Sequence, residues 1–403
     1  MSLLILLAVF MFKAAVGHGI DPDSLGAIDE ALAQCQQDLG SDIPQAGILL
    51  AAVDFDYQLI LDRIHQTYPD LLLVGGSSVG EMSSAMSFQQ DSLTLMLFAS
   101  DEVSFQTGIG YQAREDAIAA ATSAVQHTLK DTDQSLADMK LCYALGEGIG
   151  IDAVALVKGL TQATHQSVPI VGGLTADDYQ FKNTYQFFGS EVVQGAVVIL
   201  TFFGNLKISC GVATGQQPTG KKATVTKSKS FTVYEIDGQP AQEFYTPYFG
   251  EEEVKIAGSG SALIGAIAVY EPQADNFYVR APNGQTGNDG SVNYFGHVPE
   301  QATIQVTDMT HESLLKSAED AFSKAKAAYP GSAPSAALMV SCVSRMKNLG
   351  TKVAEEYELA EAIIGKHLPS MGFYAYGEMS PFTGQNTSHF HNETFTALLL
   401  GTE

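Results

Sequence analysis

Apolar residues along the chain follow two spacings, and these spacings predict alternating strands and helices. Continuous apolar runs such as AGILLAAV, residues 46–53, are typical of buried strands. Segments with apolar residues every three or four positions, such as YQLILDRIHQTY, residues 57–68, are typical of amphipathic helices. Strands that alternate with helices predict an α/β fold.

The same succession of elements occurs three times along the chain. Each copy carries a similar segment at the end of an apolar strand: VGGSSVGEM at 74–82, VGGLTADDY at 171–179 and MGFYAYGEM at 371–379. The first strand of each unit is predicted in FKAAVGHG, SFQTGIGY and TIQVTDMT, each followed by a long amphipathic helix. The fold class that follows is α/β, with repeated β-α-β-α-β-β units of about a hundred residues that form mixed sheets with flanking helices.

One region, residues 204–299, does not align with the three units. It contains strand-like segments separated by loops rich in glycine, serine and asparagine, such as PNGQTGNDGS. We interpret it as one irregular region beside the three units, with a degenerate fourth unit as the alternative.

Composition and charge exclude two classes of partner. The chain has 403 residues, 45% of them hydrophobic, and a mean hydropathy of +0.06, which predicts a folded protein of about two domains. The formal net charge of −24 would repel nucleic acids and anionic membranes. The four cysteines are scattered and form no CxxC pair, which favours buried, reduced thiols.

The apolar run MSLLILLAVF at the N-terminus is too short to span a bilayer and lacks the basic flank of a signal peptide. Residues 1–11 are expected to be an extension or a misplaced start, with Met11 as the other candidate start. We therefore expect a cytoplasmic protein.

The spacing Gly76-x-Ser78-x-Gly80 matches the nucleophile elbow of serine hydrolases. The repeat does not preserve the hydroxyl, since Thr175 and Ala375 stand in the equivalent places. An elbow also needs a helix directly after the serine, whereas a strand is predicted here. The sequence therefore predicts a protein that is not an enzyme, with a serine esterase or amidase using Ser78 as the alternative.

Several motifs in the same order resemble FIST-domain proteins, which have FIST N and FIST C halves. The resemblance rests on VGGSSVGEMSS, VGGLTADDYQF, TVYEIDGQPAQEFY, SCVSRMKNLG, MGFYAYGEMSP and FHNETFTALLL. It implies a FIST N-like ligand-sensing domain over 12–235 and a FIST C-like domain over 236–403. It also implies an intracellular sensor of small ligands that acts through a partner such as a histidine kinase.

The glycine-containing segments and nearby charged residues are the predicted ligand-binding residues. Arg345 follows a strand and has the donors to bind a carboxylate or phosphate, unless it pairs with an acid such as Glu378. The acids after the glycines can bind a ligand amine, cap a helix or face solvent. The predicted set is Gly75, Gly76, Ser77, Ser78, Glu81, Asp177, Arg345, Glu378, His391 and Asn392.

Two histidines are candidate metal ligands. Some proteins that the chain resembles are haem-binding nitric-oxide sensors, which implies non-covalent haem b with His18 or His391 as axial ligand, since no CxxCH is present. The alternative for both is a hydrogen-bonded structural histidine. The ligand would then be nitric oxide bound to haem, or otherwise an amino-acid-like metabolite.

Overall fold

The computed structural model describes residues 12–130, 132–251, 265–270 and 276–403. The described helices are α1 Ser24–Leu39, α2 Tyr57–Thr67, α3 Ala117–Thr128, α4 Ala153–Ala163, α5 Thr246–Phe249, α6 His311–Ala328, α7 Val343–Leu349 and α8 Val353–Ile364. The expected N-terminal extension, residues 1–11, lies outside the described residues.

The strands fall into three groups along the chain. The first two units contain β1 Phe12–Gly19, β2 Ala46–Ala51, β3 Leu72–Ser77, β4 Glu81–Ser83, β5 Ser87–Gln89, β6 Leu93–Ser100, β7 Val103–Gly110, β8 Met139–Gly146, β9 Ile170–Leu174, β10 Gln186–Phe188, β11 Glu191–Val193 and β12 Val197–Gly204. The next group contains β13 Lys207–Thr214, β14 Gln217–Pro218, β15 Ala223–Lys229, β16 Thr232–Ile236, β17 Gln239–Pro240, β18 Ile267–Tyr270, β19 Phe277–Arg280, β20 Pro282–Thr286, β21 Val292–Tyr294 and β22 Thr303–Asp308. The last group contains β23 Ala336–Cys342, β24 Ser370–Ala375, β25 Glu378–Pro381, β26 Ser388–His391 and β27 Thr394–Gly401.

Three six-stranded sheets of one design form the body of the protein, which confirms the predicted class of repeated units in mixed sheets. Their strand orders are β1-β6-β2-β3-β10-β11, β7-β12-β8-β9-β25-β26 and β13-β27-β23-β24-β4-β5. Only the central pairs β2/β3, β8/β9 and β23/β24 are parallel within these sheets. Helices on the faces of the sheets link the two strands of each parallel pair, because parallel strands need a crossover connection.

Each sheet is completed by a hairpin from a different unit. The β4/β5 hairpin of the first unit pairs with β24 of the third unit. The β10/β11 hairpin of the second unit pairs with β3 of the first, and the β25/β26 hairpin of the third pairs with β9 of the second. The three units are therefore joined in a closed cycle of exchanged hairpins.

The predicted first strand of the third unit is wrong. The sequence analysis placed it in TIQVTDMT, but the strand equivalent to β1 and β7 is β13, which pairs with β27. TIQVTDMT contains β22, which belongs to a separate nine-stranded sheet built from β14 to β22. The irregular region therefore lies inside the third unit, between β13 and α6, and β22 imitates a first strand because α6 follows it directly.

The inner faces of the three sheets share one hydrophobic core. Phe98 of β6 and Phe105 of β7 both pack against Phe202 of β12, with ring centroids 5.5 and 5.3 Å apart. Leu338 of β23 and Phe373 of β24 belong to the same buried cluster, so all three sheets contribute. Side chains from these strands alternate between this core and the helices outside.

The first helix of each unit packs unusually close to its edge strand, and glycine on the strand makes this approach possible. A Cβ atom on the strand glycine would lie about 2 Å from a helix carbonyl oxygen, far inside van der Waals contact. The three pairs are Gly17 with Ala31, Gly108 with Ala124 and Gly211 with Ala321.

Two further findings bear on the composition. The four cysteines, Cys35, Cys142, Cys210 and Cys342, are buried and free, as predicted. Among the described helices, none has the length and hydrophobicity that crossing a membrane requires.

Candidate functional site

Two of the predicted ligand-binding acids, Glu81 and Glu378, are completely buried at the starts of β4 and β25. The carboxylate of Glu81 accepts hydrogen bonds from the Ser78 hydroxyl and, at 2.5 Å, from the Ser92 hydroxyl. One oxygen of Glu378 accepts from the backbone N–H and hydroxyl of Thr394, at 3.0 and 2.7 Å. Burial raises the pKa of Glu81 to about 7 and that of Glu378 to about 8, because a carboxylate loses hydration there.

The repeat alignment in the second unit is wrong at this position. Asp177 and Asp178 were aligned with the two glutamates, but the residue at the start of the equivalent hairpin is Gln186. Gln186 pairs with Gly76 of β3 in the same way that Glu378 pairs with Gly173 of β9. An extra loop between β9 and β10 separates the glycine segment from its hairpin in this unit.

Asp177 holds that extra loop together. Its carboxylate accepts backbone hydrogen bonds from Phe181, Lys182 and Asn183 at 2.6–3.0 Å, and one from the Tyr376 hydroxyl at 2.6 Å. The predicted ligand role of Asp177 is not supported by this geometry, because both oxygens already bind groups of the protein.

The predicted residues of the glycine segment form the junction between units. A Cβ at Gly75 would lie 2.2 Å from the Leu49 carbonyl oxygen, and one at Gly76 would lie 2.3 Å from Cγ2 of Thr175. The hydroxyl of Ser77 accepts the backbone N–H of Tyr185 at 3.1 Å. These positions therefore need small residues for close packing between strands.

Ser78 is buried, 1% exposed, and its hydroxyl is bound to Glu81. The chain continues from β3 into β4 without a helix, as predicted, so the geometry of a nucleophile elbow is absent at this serine.

Arg345 was predicted to bind a ligand or to pair with an acid such as Glu378, and the structure shows the pairing, with Glu356 as the acid in place of Glu378. The guanidinium is fully buried against Glu356, with Nε to Oε1 at 3.0 Å and Nη2 to Oε1 at 2.5 Å. Nη1 donates to the Ser317 hydroxyl at 2.7 Å, and Nη2 also donates to the Leu314 carbonyl at 2.9 Å. The guanidinium thus ties α6 and α8 to α7, the helix that carries Arg345, with almost all its donors occupied.

The predicted residues His391 and Asn392 also serve packing contacts. The His391 side chain is 1% exposed, and its Nε2 donates to the Ser380 carbonyl at 2.9 Å. The Asn392 side-chain oxygen lies 3.5 Å from the backbone N–H of Ala281, which links the end of β26 to the inserted region.

His18 and His391 do not fit a haem iron. The His18 ring lies between two hydroxyls, with Nδ1 2.7 Å from Ser83 and Nε2 2.9 Å from Ser92. Burial lowers the pKa of His18 to about 4 and that of His391 to about 3. In the part of the chain that the structure describes, no three His, Cys, Asp or Glu side chains are grouped so as to hold a metal ion.

A cleft of about 460 Å³ lies elsewhere, between α4, β19 and β26. Its lining contains none of the residues predicted from the sequence. The apolar side chains of Val154 and Val157 form the α4 wall, and Tyr278, Arg280 and Phe390 form the opposite wall. This volume is in the range of small-molecule sites.

Arg280 is the residue of this cleft that carries most chemistry. It is 4% exposed, and its guanidinium donates to three backbone carbonyls, those of His297 at 3.2 Å, Val279 at 3.0 Å and Phe390 at 3.2 Å. The ring of Tyr278 lies 4.3 Å from the guanidinium carbon, in a cation–π contact.

The sequence offered one signal for Arg280 that was not used. Only four arginines occur, and Arg280 stands inside the apolar strand segment FYVRAP, where a buried charge is costly. The other lining residues could not be predicted from the sequence. They come from distant segments, and these meet only because the inserted region packs against the rest of the protein.

The chain belongs to the FIST family. The FIST N domain matches residues 45–239 and the FIST C domain matches residues 241–381. FIST domains are associated with small-ligand-binding sensory signalling.

Two uncharacterised proteins are among the relatives of the chain. One from Methanocaldococcus jannaschii is 38% identical over 85 residues, which is 21% of this chain and 17% of that protein, so the chain matches only a small part of its length. One from Mycobacterium tuberculosis is 20% identical over 385 residues, which is 94% of this chain and 97% of that protein.

A solved structure of a cyanuric acid hydrolase is also similar, with a TM-score of 0.35, 10% identity and coverage of 96% of this chain and 99% of that one. This finding corrects the sequence-based exclusion of enzymes, because a protein that catalyses a reaction is among the structural relatives. A likeness of this size carries no argument for the same reaction here.

Proposed function

We propose that the protein is a sensory protein that binds a small molecule in the cleft between α4, β19 and β26 and passes the signal to a partner protein. The carrying observation is that the two domains of the family contribute opposite walls. Val154 and Val157 lie in the part matched by FIST N, and Tyr278 and Arg280 lie in the part matched by FIST C. A ligand in this cleft would contact both domains at once, so its binding energy would favour one relative arrangement of them.

The β25/β26 hairpin, which carries Phe390 of the opposite wall, connects the ligand to a further unit of the protein. Phe390 lies on β26, which pairs with β25, and β25 completes the sheet of the second unit by pairing with β9. A ligand against Phe390 would therefore act on the third and second units together.

A thermal-shift screen with a panel of neutral, cationic and anionic metabolites, including amino acids, tests the proposal. We expect at least one to raise the melting temperature of the wild type. Val154→Phe, which adds a ring at the α4 wall, should abolish that rise. Leu59→Phe, at a 44% exposed position on α2, is the matched control and should leave it intact. A rise that survives in Val154→Phe would place the ligand elsewhere.

The partner that we propose, by family resemblance, is a histidine kinase. The test is the autophosphorylation rate of a candidate kinase with and without the protein and its ligand. A kinase whose autophosphorylation rate changes neither with the protein alone nor with the protein and its ligand would contradict this part of the proposal.

Haem-based nitric-oxide sensing has no support in the surroundings of His18 and His391, because both ring nitrogens of His18 and Nε2 of His391 contact the protein's own groups. An absorbance spectrum of protein prepared with added haem tests it. A Soret band that shifts with nitric oxide and disappears in His18→Ala or His391→Ala would overturn our reading of these two residues.

A further inference from the structure

Arg280 differs from the other arginines in having no acidic partner among the described residues. The other three form ion pairs: Arg63 with Asp29 at 2.6 Å, Arg114 with Glu147 at 2.9 Å and Arg345 with Glu356 at 2.5 Å. Across the described ranges, no carboxylate lies within 4.0 Å of Arg280, although it is almost completely buried. A buried charge without a counter-ion is costly, so its presence requires a reason.

The hydrogen bonds of Arg280 leave part of its guanidinium unused. Nε and Nη1 donate to neutral carbonyl oxygens, which hold the side chain in place but do not neutralise its charge. The two hydrogens of Nη2 find no acceptor among the described residues, and Arg280 lines the cleft. Burial lowers the pKa of Arg280 only to about 10, so the group is charged at neutral pH.

The other polar groups of the cleft favour an anion. Lys158 lines it and adds a positive charge, His297 and His389 line it too, and no aspartate or glutamate is among the described lining residues. Burial and the charge of Arg280 lower the pKa of His297, so this ring adds no charge at neutral pH. This is unusual in a chain with 45 acidic and 21 basic residues, where carboxylates surround most surface sites. A basic cleft in an acidic protein concentrates anions locally.

The backbone at Gly296 packs closely against the guanidinium of Arg280. A Cβ at residue 296 would lie 2.7 Å from Nε of Arg280 and 3.2 Å from its guanidinium carbon. The backbone at Gly296 and the ring of Tyr278 therefore hold the planar group, and a group held in this way loses little entropy when it binds an oxyanion.

We infer that the cleft binds a small molecule with a carboxylate or phosphate group, whose oxygens accept from Nη2 of Arg280. Its apolar part packs on Val154, Val157 and Phe390, and the charge of Lys158, which also lines the cleft, attracts it. This inference rests on the proposed function and names the chemical class of its ligand. Arg280 is the residue that selects the anion.

Calorimetric titration at low salt with three matched probes tests the inference. Phenylacetate and phenyl phosphate carry the two oxyanions on one ring, and phenylacetamide is the neutral analogue of the first. We expect at least one oxyanion to bind the wild type, and the amide to bind roughly ten-fold or more weakly because it lacks the charge. The tighter of the two anions identifies the carboxylate or the phosphate as the natural group.

Three variants locate the site. Arg280→Gln should lose roughly ten- to hundred-fold in affinity for the oxyanion. Arg280→Lys keeps the charge without the fork and should fall between it and the wild type, which covers the case in which the glutamine variant does not fold. Arg63→Gln, at a half-exposed pair, is the control and should bind like the wild type.

Two results would overturn the inference: no binding of either oxyanion to the wild type at about 10 mM, or equal binding by the wild type and both Arg280 variants. The metabolite panel separates this failure from that of the proposed function. If a neutral or cationic molecule stabilises the protein in a manner that Val154→Phe abolishes, only the anionic class is wrong. If nothing in the panel stabilises it, the proposed function fails as well.

Discussion

Gln186 occupies in the second unit the position that Glu378 occupies in the third. Each begins a hairpin that is added to a neighbouring unit's sheet, and each is fully buried. The Gln186 amide donates to the Thr175 hydroxyl at 2.9 Å and accepts from the Ala196 N–H at 3.1 Å. The chain thus contains its own example of an amide in a place where the other two copies bury a carboxyl group.

The two buried glutamates predict that the stability of the protein falls as the pH rises from 4.5 to about 8. The folded-state pKa values of Glu81 and Glu378, about 7 and about 8, lie above the ordinary value of 4.5, so the folded protein holds protons that the unfolded chain releases. That stabilisation is fully present below pH 4.5 and is lost as pH rises through 7 and 8. Each group contributes at most about 1.4 kcal/mol per pH unit in that interval.

Glu81→Gln and Glu378→Gln should remove this loss and leave the fold intact, as Gln186 already does. Urea unfolding at pH 5 to 9 measures it, with Glu358→Gln on the exposed side of α8 as control. If the free energy of unfolding of the double variant depends on pH as that of the wild type does, these carboxyl groups are not the source of the loss of stability.

His18 predicts a separate loss of stability in acid. Burial lowers its pKa from 6.5 to about 4, so below pH 6.5 the unfolded chain takes up a proton that the folded protein refuses. Stability from this residue is therefore lost as pH falls from 6.5 toward 4. Between pH 6.5 and 4, the free energy of unfolding of His18→Gln should change less with pH than that of the control His367→Gln, which lies at an exposed site. An equal pH dependence of the free energy of unfolding in the two variants would contradict the role assigned to His18.

The buried pair of Arg345 and Glu356 should behave differently from surface pairs. Arg345→Met leaves Glu356 without its counter-ion and should lower the free energy of unfolding by about 3–5 kcal/mol, whereas the double variant with Glu356→Gln should recover part of that loss. Chemical unfolding of both singles and the double gives the coupling energy. Arg63→Gln, which breaks an exposed pair, should cost no more than about 1 kcal/mol. A similar cost for both arginines would refute a structural role for Arg345.

Gly108 should not tolerate a side chain. A Cβ there would lie 2.1 Å from the Ala124 carbonyl oxygen, so Gly108→Ala must push α3 away from β7. We expect a loss of at least about 2 kcal/mol, in the range of overpacked cores. Thermal unfolding measures it, and Ser123→Ala, on the exposed side of α3, serves as control. A neutral alanine at position 108 would mean that the helix can shift freely.

The repeated unit and its helices could be predicted from sequence because periodic apolar positions are local signals. The exchange of hairpins could not, since β4 carries no mark that distinguishes pairing with β24 from pairing with its own unit. The same limit explains the error at Asp177: an inserted loop kept the local resemblance while moving the equivalent residue to Gln186. The error of taking β22 as the first strand of the third unit has a similar cause. Helix α6 follows β22 directly in the sequence, although β13 is the strand that pairs in the sheet of that unit.

The acid that pairs with Arg345 and the importance of Arg280 were missed for another reason. Both arginines stand in apolar segments, and a sequence does not show whether an acid reaches them in the fold. Glu356 is close to Arg345 only because α8 returns over β23, and no such element brings an acid to Arg280 in the described part.

The cycle of exchanged hairpins has a consequence for synthesis on the ribosome. The sheet of the second unit lacks its last two strands until β25 and β26 have been translated, and until then β9 has an unpaired edge at Gly172 and Gly173. Open strand edges invite pairing with other chains. The nascent chain therefore carries an open strand edge from the time β9 is translated until β25 follows it.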